Sequence, residues 1–139
     1  MKKASQSASP CPCGSGALYA QCCAPYHLGE SLPPTAQALM RSRYCAYVYE
    51  LADYLFDTWH VSTRDPNLHS SLAQEAQQVS TKWLGLTICR AFDGTQADEA
   101  FVEFIAKYKV GGNAAQRLHE TSRFVYEHGR WWYVDGVFA

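Results

Sequence analysis

Four cysteines lie within one thirteen-residue stretch near the start of the chain, spaced as C-x-C, eight residues and C-C. Four thiolates in one short segment match the ligand number of a tetrahedral structural metal site, in which each sulfur lies ~2.3 Å from zinc. Such a metal supplies the folding free energy that a segment with few apolar residues lacks. The spacing therefore predicts a structural zinc site, although iron suits the same thiolates. The four predicted ligands are Cys11, Cys13, Cys22 and Cys23.

The residues between the cysteines favour convergence of the four sulfurs. Gly14 and Gly16 tolerate positive φ values that other residues resist, so the backbone can turn closely around an ion. Residues 18–21 are predicted to form a short helix, at whose end the side chains of Cys22 and Cys23 diverge by ~100°. Because four protein ligands leave no position for water, hydrolytic chemistry is disfavoured. A redox switch is the alternative to a purely structural role.

Three further residues could bind metal but are interpreted as non-ligands. His27 follows Cys23 by four residues and could replace a cysteine, although a surface position is the simpler interpretation. Cys45 and Cys89 each stand alone in an apolar segment. Free cysteine behaves as a small hydrophobic side chain, so we expect both to be buried in the core.

Composition and charge restrict the class of partner. The 139 residues include 12 Lys and Arg against 13 Asp and Glu, a formal net charge of −1. DNA binding needs a clustered basic surplus, so it is not expected. No stretch approaches the ~18 consecutive apolar residues of a membrane span, and residues 1–10 lack the apolar centre of a signal peptide. We expect a cytoplasmic protein, because clustered cysteines in that compartment bind metal more often than they form disulfides.

Proline, glycine and polar residues divide the chain into four predicted regions. Residues 1–8 form a flexible tail, residues 9–27 the metal-binding module, residues 28–34 a linker, and residues 35–139 a second domain. Thr35 directly follows two prolines and is a predicted helix N-cap, so the second domain begins with a helix.

Three helices are predicted in the first half of the second domain. Apolar residues recur every three or four positions from Ala36 to Leu55. Asp53 can start a second short helix that ends near Trp59, and a third helix is predicted from Asp65, where proline follows. The buried face of the third helix is predicted at Leu68, Leu72, Ala76 and Val79.

The second half of the domain changes to an alternation of period two, which is typical of strands. Turn residues divide it into predicted strands at 83–92, 99–110, 116–127 and 130–138. Because helices come first and the strands follow through short turns, we predict an α+β fold. In this fold three helices pack on one face of a curved, mainly antiparallel four-stranded sheet.

The cysteine segment resembles the SEC-C motif, a metal-binding segment of the protein-export ATPase and of assorted bacterial proteins. The resemblance is carried by Cys11-Pro12-Cys13-Gly14-Ser15-Gly16, Tyr19 and Cys22-Cys23. SEC-C modules dock on export chaperones and ribosomes, so the resemblance implies a protein or ribosomal partner for this module. Residues 17–21 carry none of the lysines that are usual at this place in the motif.

Most of the remaining chain resembles the bacterial YchJ family, whose central domain is similar to the cone-shaped nuclear-transport-factor-two-like fold. The resemblance implies a concave pocket, in which cones of this class often bind small molecules, and a homodimer formed through the sheet. It is carried by Leu39-Met40-Arg41-Ser42-Arg43-Tyr44-Cys45-Ala46-Tyr47, Tyr54-Leu55-Phe56-Asp57-Thr58-Trp59-His60, Trp83-Leu84-Gly85-Leu86, Glu120-Thr121-Ser122-Arg123-Phe124 and Trp132-Tyr133-Val134-Asp135-Gly136.

One strand of the predicted sheet carries polar residues on its apolar face. Between residues 118 and 126 the alternation places Glu120 and Ser122 among apolar side chains. If this face lines the cone, the carboxyl group of Glu120 needs a cationic partner or a raised pKa. The helices that pack on the sheet offer basic partners, and the last strand offers a second carboxylate. The candidate pocket residues are Arg41, Arg43, His60, Glu120, Ser122 and Asp135.

These residues allow three interpretations: an acid–base pair of Glu120 or Asp135 with His60, a buried Glu–Arg pair that joins helix to sheet, or a non-catalytic ligand pocket. No catalytic residue is assigned. The favoured function is a zinc knuckle that docks on an export chaperone or ribosome, fused to a cone domain, and not an enzyme. The alternative is a small enzyme or small-molecule-binding protein that works in the cone.

Overall fold

A computed structural model describes residues 9–78 and 80–139, with the backbone alone for residues 74–78. The predicted flexible tail at residues 1–8 and the predicted buried side chains of Ala76 and Val79 lie outside the described part. In these described residues, a 3-10 turn at Tyr19–Gln21 precedes four helices and four strands. The helices are α1 (Ala24–His27), α2 (Ala36–Val48), α3 (Ala52–Asp57) and α4 (Leu68–Gln78). The strands are β1 (Thr81–Asp93), β2 (Glu99–Val110), β3 (Gln116–Glu127) and β4 (Arg130–Phe138).

Helix α2 begins where the sequence predicts, because the Thr35 hydroxyl accepts the N–H of Ala38 at 3.0 Å. The apolar periodicity that runs on to Leu55 is divided between two helices. Helix α2 ends at Val48 and Glu50 has a φ of 58°, a left-handed conformation that stops the α2 hydrogen-bond ladder. Helix α3 then begins at Ala52, so the second helix lies close to its predicted place.

The four strands form an antiparallel meander in the order β1-β2-β3-β4. Val102, Phe104 and Ala106 of β2 are buried and alternate with more exposed residues, which defines the concave inner face. β3 and β4 meet at a two-residue turn in which His128 and Gly129 both have positive φ, as a tight hairpin requires. Two irregularities in the β1–β2 register accompany the curvature of the sheet.

The cysteine module and the cone domain share one apolar core. Cys11, Cys13 and Cys23 are buried in the same cluster as Leu39 of α2 and Phe124 of β3. A Cβ atom on Gly14, whose φ is 78°, would lie only 3.3 Å from the carbonyl oxygen of Leu86 in β1. The module therefore packs on both α2 and the sheet. Within the described residues, no helix is both long and apolar enough to cross a membrane.

Candidate metal centre and cone cavity

Four sulfur atoms converge at the N-terminal end of the described chain. The Sγ atoms of Cys11, Cys13, Cys22 and Cys23 all lie within 4.8 Å of one another. The Cys13–Cys22 and Cys22–Cys23 separations are 3.6 and 3.9 Å. A tetrahedron with metal–sulfur bonds of ~2.3 Å has sulfur–sulfur edges of ~3.8 Å. The four cysteines can therefore hold one metal ion as a closed set of ligands.

The chain around the sulfurs is fixed by local contacts. Gly14 and Gly16 have φ values of 78° and 90°, the left-handed conformations predicted for the turn. The Ser15 hydroxyl lies 3.1 Å from the sulfur of Cys22. The guanidinium of Arg41, on α2, donates to the carbonyl oxygen of Cys13 at 2.7 Å. Arg41 is therefore a link between helix and module, and it does not line the cavity for which the sequence proposed it.

The thiols of the cluster hold their protons unequally. Hydrogen bonds from the thiols of Cys11 and Cys23 lower the pKa of Cys13, whereas burial raises the pKa of Cys22 to about 11. A bound metal needs all its sulfur ligands deprotonated. Binding must therefore release protons that the buried thiols keep at neutral pH, so the affinity for metal rises with pH.

His27 is not the surface residue that the sequence suggested. Its Nε2 donates to the carbonyl oxygen of Ser42 at 2.8 Å, and its Nδ1 accepts from the hydroxyl of Tyr19 at 2.6 Å. Both ring nitrogens are thus occupied. Burial lowers the pKa of His27, which favours this neutral tautomer. His27 ties α1 to α2 and is not free to bind metal.

The two isolated cysteines have different environments. Cys45 is buried as predicted, but its sulfur lies 3.3 Å from that of Cys11, beside the metal ligands. Cys89 is exposed, so its predicted burial is wrong. It lies between Ile88 and Arg90, where the β1–β2 register shifts. Its neighbour Ile88 packs against the core, so alternation along the strand turns Cys89 to the opposite, exposed face of the sheet.

Helix α2 presents one side to the module and another to the cone. Arg41 and Cys45 contact Cys13 and Cys11, and Tyr49, the residue directly after the helix, contacts Tyr19. A second set of α2 side chains lines a cavity of about 350 Å³ between helix and sheet. That set consists of Met40, Arg43, Tyr44 and Tyr47. The metal site and the cavity therefore share one helix.

The cavity combines aromatic walls with three polar side chains. Arg43, Glu120 and Ser122 all line it and all are buried. Its aromatic walls come from both the helices and the sheet of the cone, and none of these aromatic residues was among the site candidates. The aromatic lining residues are Tyr44, Tyr47, Trp83, Phe104, Phe124, Tyr133 and Phe138.

Arg43 and Glu120 face the cavity without forming an ion pair with each other. Arg43 donates to the carbonyl oxygen of Leu55 at 2.8 Å and to the hydroxyl of Thr58 at 2.6 Å. Its guanidinium also lies 4.4 Å from the ring centre of Tyr133. Glu120 accepts from the Ser122 hydroxyl at 2.7 Å. The predicted buried pair is thus replaced by two separately satisfied groups.

Burial sets the protonation of Glu120. Removal from water raises the pKa of its carboxyl group, and the Ser122 hydrogen bond and the charge of Arg43 oppose this only in part. A carboxyl group accepts hydrogen bonds when it is ionised and can also donate one when it is protonated. The cavity therefore offers a fixed cationic donor and an adaptable carboxyl group on aromatic walls.

Two candidate pocket residues lie outside this cavity. The Nε2 atom of His60 contacts Glu127 at 3.0 Å and its Nδ1 contacts Ser62 at 2.7 Å, so His60 forms no acid–base pair with Glu120. Asp135 is exposed and pairs with Arg123 on the outer face. The β3–β4 register shifts between Arg123 and Phe124, which turns Asp135 outward where strict alternation predicts an inward position.

The two parts of the chain match two described families. Residues 9–25 match the SEC-C motif, and residues 35–136 match the YchJ middle NTF2-like domain. The UPF0225 protein of Chromobacterium violaceum is 52% identical over 141 aligned positions that cover 100% of both chains. The UPF0225 protein of Cupriavidus metallidurans is 51% identical over 92% of this chain and 88% of its own.

Solved structures share the fold. A SEC-C motif containing protein from Rhodopseudomonas palustris is similar with a TM-score of 0.80 and 32% identity, covering 93% of this chain and 98% of that one. A sec-c motif containing protein from Psychrobacter arcticus gives a TM-score of 0.76 at 26% identity, over 96% and 85% of the two chains. The predicted α+β cone with an N-terminal cysteine knuckle is thereby confirmed. The chain belongs to the YchJ family, with a SEC-C motif followed by an NTF2-like domain.

Proposed function

We propose that this protein binds one structural zinc ion through Cys11, Cys13, Cys22 and Cys23, and that the zinc holds α2 as one wall of a small-molecule-binding cavity. The observation that carries the proposal is the convergence of four sulfurs within 4.8 Å in the core that also contains α2. Four protein thiolates with no open position are typical of structural zinc. The ion supplies folding free energy to the module, and no catalytic step is assigned to it.

Elemental analysis of the purified, reduced protein tests the zinc proposal. We expect one zinc per chain in the wild-type protein and a large loss of zinc in Cys13→Ser, whose sulfur is buried among the other ligands. Cys89→Ser is the matched control, because Cys89 lies exposed on β1. A folded wild-type protein with little metal would contradict the proposal, and iron in place of zinc would correct the identity of the ion.

The chemistry of the cavity defines its ligand. The cavity volume of about 350 Å³ lies near the lower end of the ~300–1,000 Å³ range that is typical of ligand pockets. Aromatic walls favour a planar apolar body, and the guanidinium of Arg43 favours an anionic or carbonyl group at one end. Because His60 is not near Glu120, the geometry supports binding better than turnover. We infer a small aromatic or apolar ligand with one acidic or carbonyl group.

The anionic aromatic dye 8-anilinonaphthalene-1-sulfonate is a suitable probe for this cavity. Ala106 is buried on the cavity wall, whereas its neighbour Lys107 points outward from the same strand. Ala106→Phe should fill the cavity and weaken dye binding at least fivefold, and Lys107→Phe should leave it unchanged. Equal effects of the two variants, or no dye binding by the folded wild-type protein, would contradict a cavity site.

Docking on a protein or ribosomal partner is the second candidate function. The observation that favours it is the exposure of three leucines in or just after the module, each at least 43% exposed. Exposed leucines of this kind can form the apolar centre of an interface. The three residues are Leu18, Leu28 and Leu32.

Sedimentation with purified ribosomes tests docking independently of the cavity. Leu28→Ser combined with Leu32→Ser should reduce co-sedimentation severalfold if this surface docks on ribosomes. Val61→Ser is the control, because Val61 is also strongly exposed but belongs to the cone domain. Equal sedimentation of all variants, or none of the wild-type protein, would rule against a ribosomal partner.

A further inference from the structure

A fifth sulfur lies against the four predicted ligands. Cys45, on α2, places its Sγ 3.3 Å from the Sγ of Cys11. It belongs to the same buried cluster as Cys13 and Cys23. The separation from Cys11 is already shorter than the ~3.8 Å edge of a tetrahedral four-sulfur site. The sulfur of Cys45 is therefore close enough to Cys11 for both to bind one metal ion after a small movement apart.

The four cysteines of the SEC-C motif are not equally protected from solvent. Cys11, Cys13 and Cys23 are at most 4% exposed, and Cys45 is completely buried. Cys22 is only half-buried and lies beside the exposed residue Ser15. Solvent and thiol reagents reach a half-exposed cysteine more easily than a buried one. Cys22 is thus the ligand most easily lost, and four buried cysteines then remain in this cluster: Cys11, Cys13, Cys23 and Cys45.

We propose that Cys45 is a reserve ligand that replaces Cys22 and keeps the metal bound by four thiolates. The inference rests on the proposed zinc site. In the exchange the metal–sulfur bond to Cys22 breaks and one to Cys45 forms. Cys45 gives up a proton and the released Cys22 thiolate takes one up, so the charge of the site does not change. The Cys45 sulfur lies within hydrogen-bond distance of the Cys11 sulfur, the position from which it would enter.

Cobalt(II) substitution reports the number of thiolate ligands, because the near-ultraviolet charge-transfer absorption grows with each cobalt–sulfur bond. The full chain is compared as wild type, Cys22→Ser, Cys45→Ala and the double variant Cys22→Ser/Cys45→Ala. Alanine is chosen at position 45 because it removes the thiol from a fully buried position without adding a polar group. Cys89→Ser, outside the cluster, controls for general effects of removing a thiol.

We expect Cys22→Ser and Cys45→Ala each to bind one cobalt per chain with the wild-type charge-transfer intensity. The double variant should lose about a quarter of that intensity and bind at least tenfold more weakly in competition with a chelator. If the single variant Cys22→Ser shows a charge-transfer intensity that corresponds to three thiolates, the reserve-ligand role of Cys45 is overturned. Wild-type protein that binds no metal would overturn the zinc site itself, so the two failures are distinct.

Alkylation of Cys22 in the wild-type protein and in Cys45→Ala provides a second measurement if the double variant does not fold. Iodoacetamide should modify Cys22 in the zinc-loaded protein without releasing zinc, since Cys45 takes its place. In zinc-loaded Cys45→Ala the same modification should release zinc. Release of zinc from both proteins in step with Cys22 modification would overturn the proposal.

Discussion

At the residue scale, Glu120 is the group whose chemistry depends most on its surroundings. It lies among aromatic walls, bonded to Ser122, and its burial raises its pKa. A carboxyl group whose pKa is raised on folding contributes full stability below its unfolded pKa and loses that contribution as the pH rises through the folded value. Wild-type stability should therefore include a loss that starts in the ordinary pKa range of glutamate and continues until the pH has passed the raised pKa of the folded state.

Replacing this carboxyl group with an amide should remove that pH dependence. Glu120→Gln keeps the shape and can still accept from Ser122, but it does not ionise. We expect its melting temperature relative to wild type to rise between pH 4 and pH 8. Thermal unfolding of both proteins across this range measures the difference. A constant difference would show that Glu120 does not carry the raised pKa.

Gly136 is a second residue whose identity is set by tertiary contact. A Cβ atom at this position of β4 would collide with the carboxyl group of Glu120. Gly136→Ala should therefore displace Glu120 and destabilise the fold by ~1–3 kcal/mol, the range for overpacking a core. Urea denaturation measures the loss. Gly112→Ala is the control, since a Cβ there meets open space, and similar losses for both would contradict a specific collision.

At the element scale, α2 transmits constraints between module and cavity. Arg41 donates to the carbonyl oxygen of Cys13 from the module side of the helix, while Arg43 lines the cavity. Hydrogen bonds that involve a charged group contribute ~1.5–3 kcal/mol when well buried, and less when partly exposed. The link from Arg41 is thus a measurable part of the attachment of the module to the helix.

Removal of this link should loosen the metal site without emptying it. We expect Arg41→Ala to release zinc to a competing chelator severalfold faster than wild type and to lower the free energy of unfolding by ~1 kcal/mol. Arg117→Ala, an exposed residue on β3, serves as the control and should behave as wild type. Unchanged zinc release in Arg41→Ala would show that the hydrogen bond does not support the site.

At the scale of the whole molecule, the module and the cone share one core and should unfold together. Cys11 and Cys23 lie in the same buried cluster as Leu39 and Phe124. A metal that binds only the folded state stabilises it by ~4 kcal/mol at a thousandfold excess over its dissociation constant. Removal of zinc should therefore lower the melting temperature of the entire protein.

Differential scanning calorimetry with and without a zinc chelator tests this coupling. We expect a single transition in both conditions, shifted to lower temperature by the chelator. Cys89→Ser should show the same shift, because it keeps the metal ligands. Two separate transitions, or a cone transition that the chelator does not move, would show that the module is energetically independent.

Strand positions could be predicted from the sequence almost completely. The ends of β2, β3 and β4 coincide with the ends of the predicted strands. Alternation and turn residues such as Gly129 are local signals that depend only on a few neighbouring residues, so the sequence contains them in full. The start of helix α2 was predicted from Thr35, but its end at Val48 was not predicted. Its C-terminus depends on the positive φ of Glu50, which the apolar pattern does not encode.

The local spacing of Cys11, Cys13, Cys22 and Cys23 was by itself enough to predict a closed set of four sulfurs, because metal coordination restricts ligand number and reach. Only the tertiary structure places Cys45 beside Cys11, which is 34 residues away in the sequence. It also occupies both ring nitrogens of His27 with hydrogen bonds to Tyr19 and Ser42. Only the register shift between β3 and β4 turned Asp135 outward. Alternation places successive strand residues on opposite faces of the sheet. Bulges and helix packing decide which face each residue finally joins and which residues contact one another there.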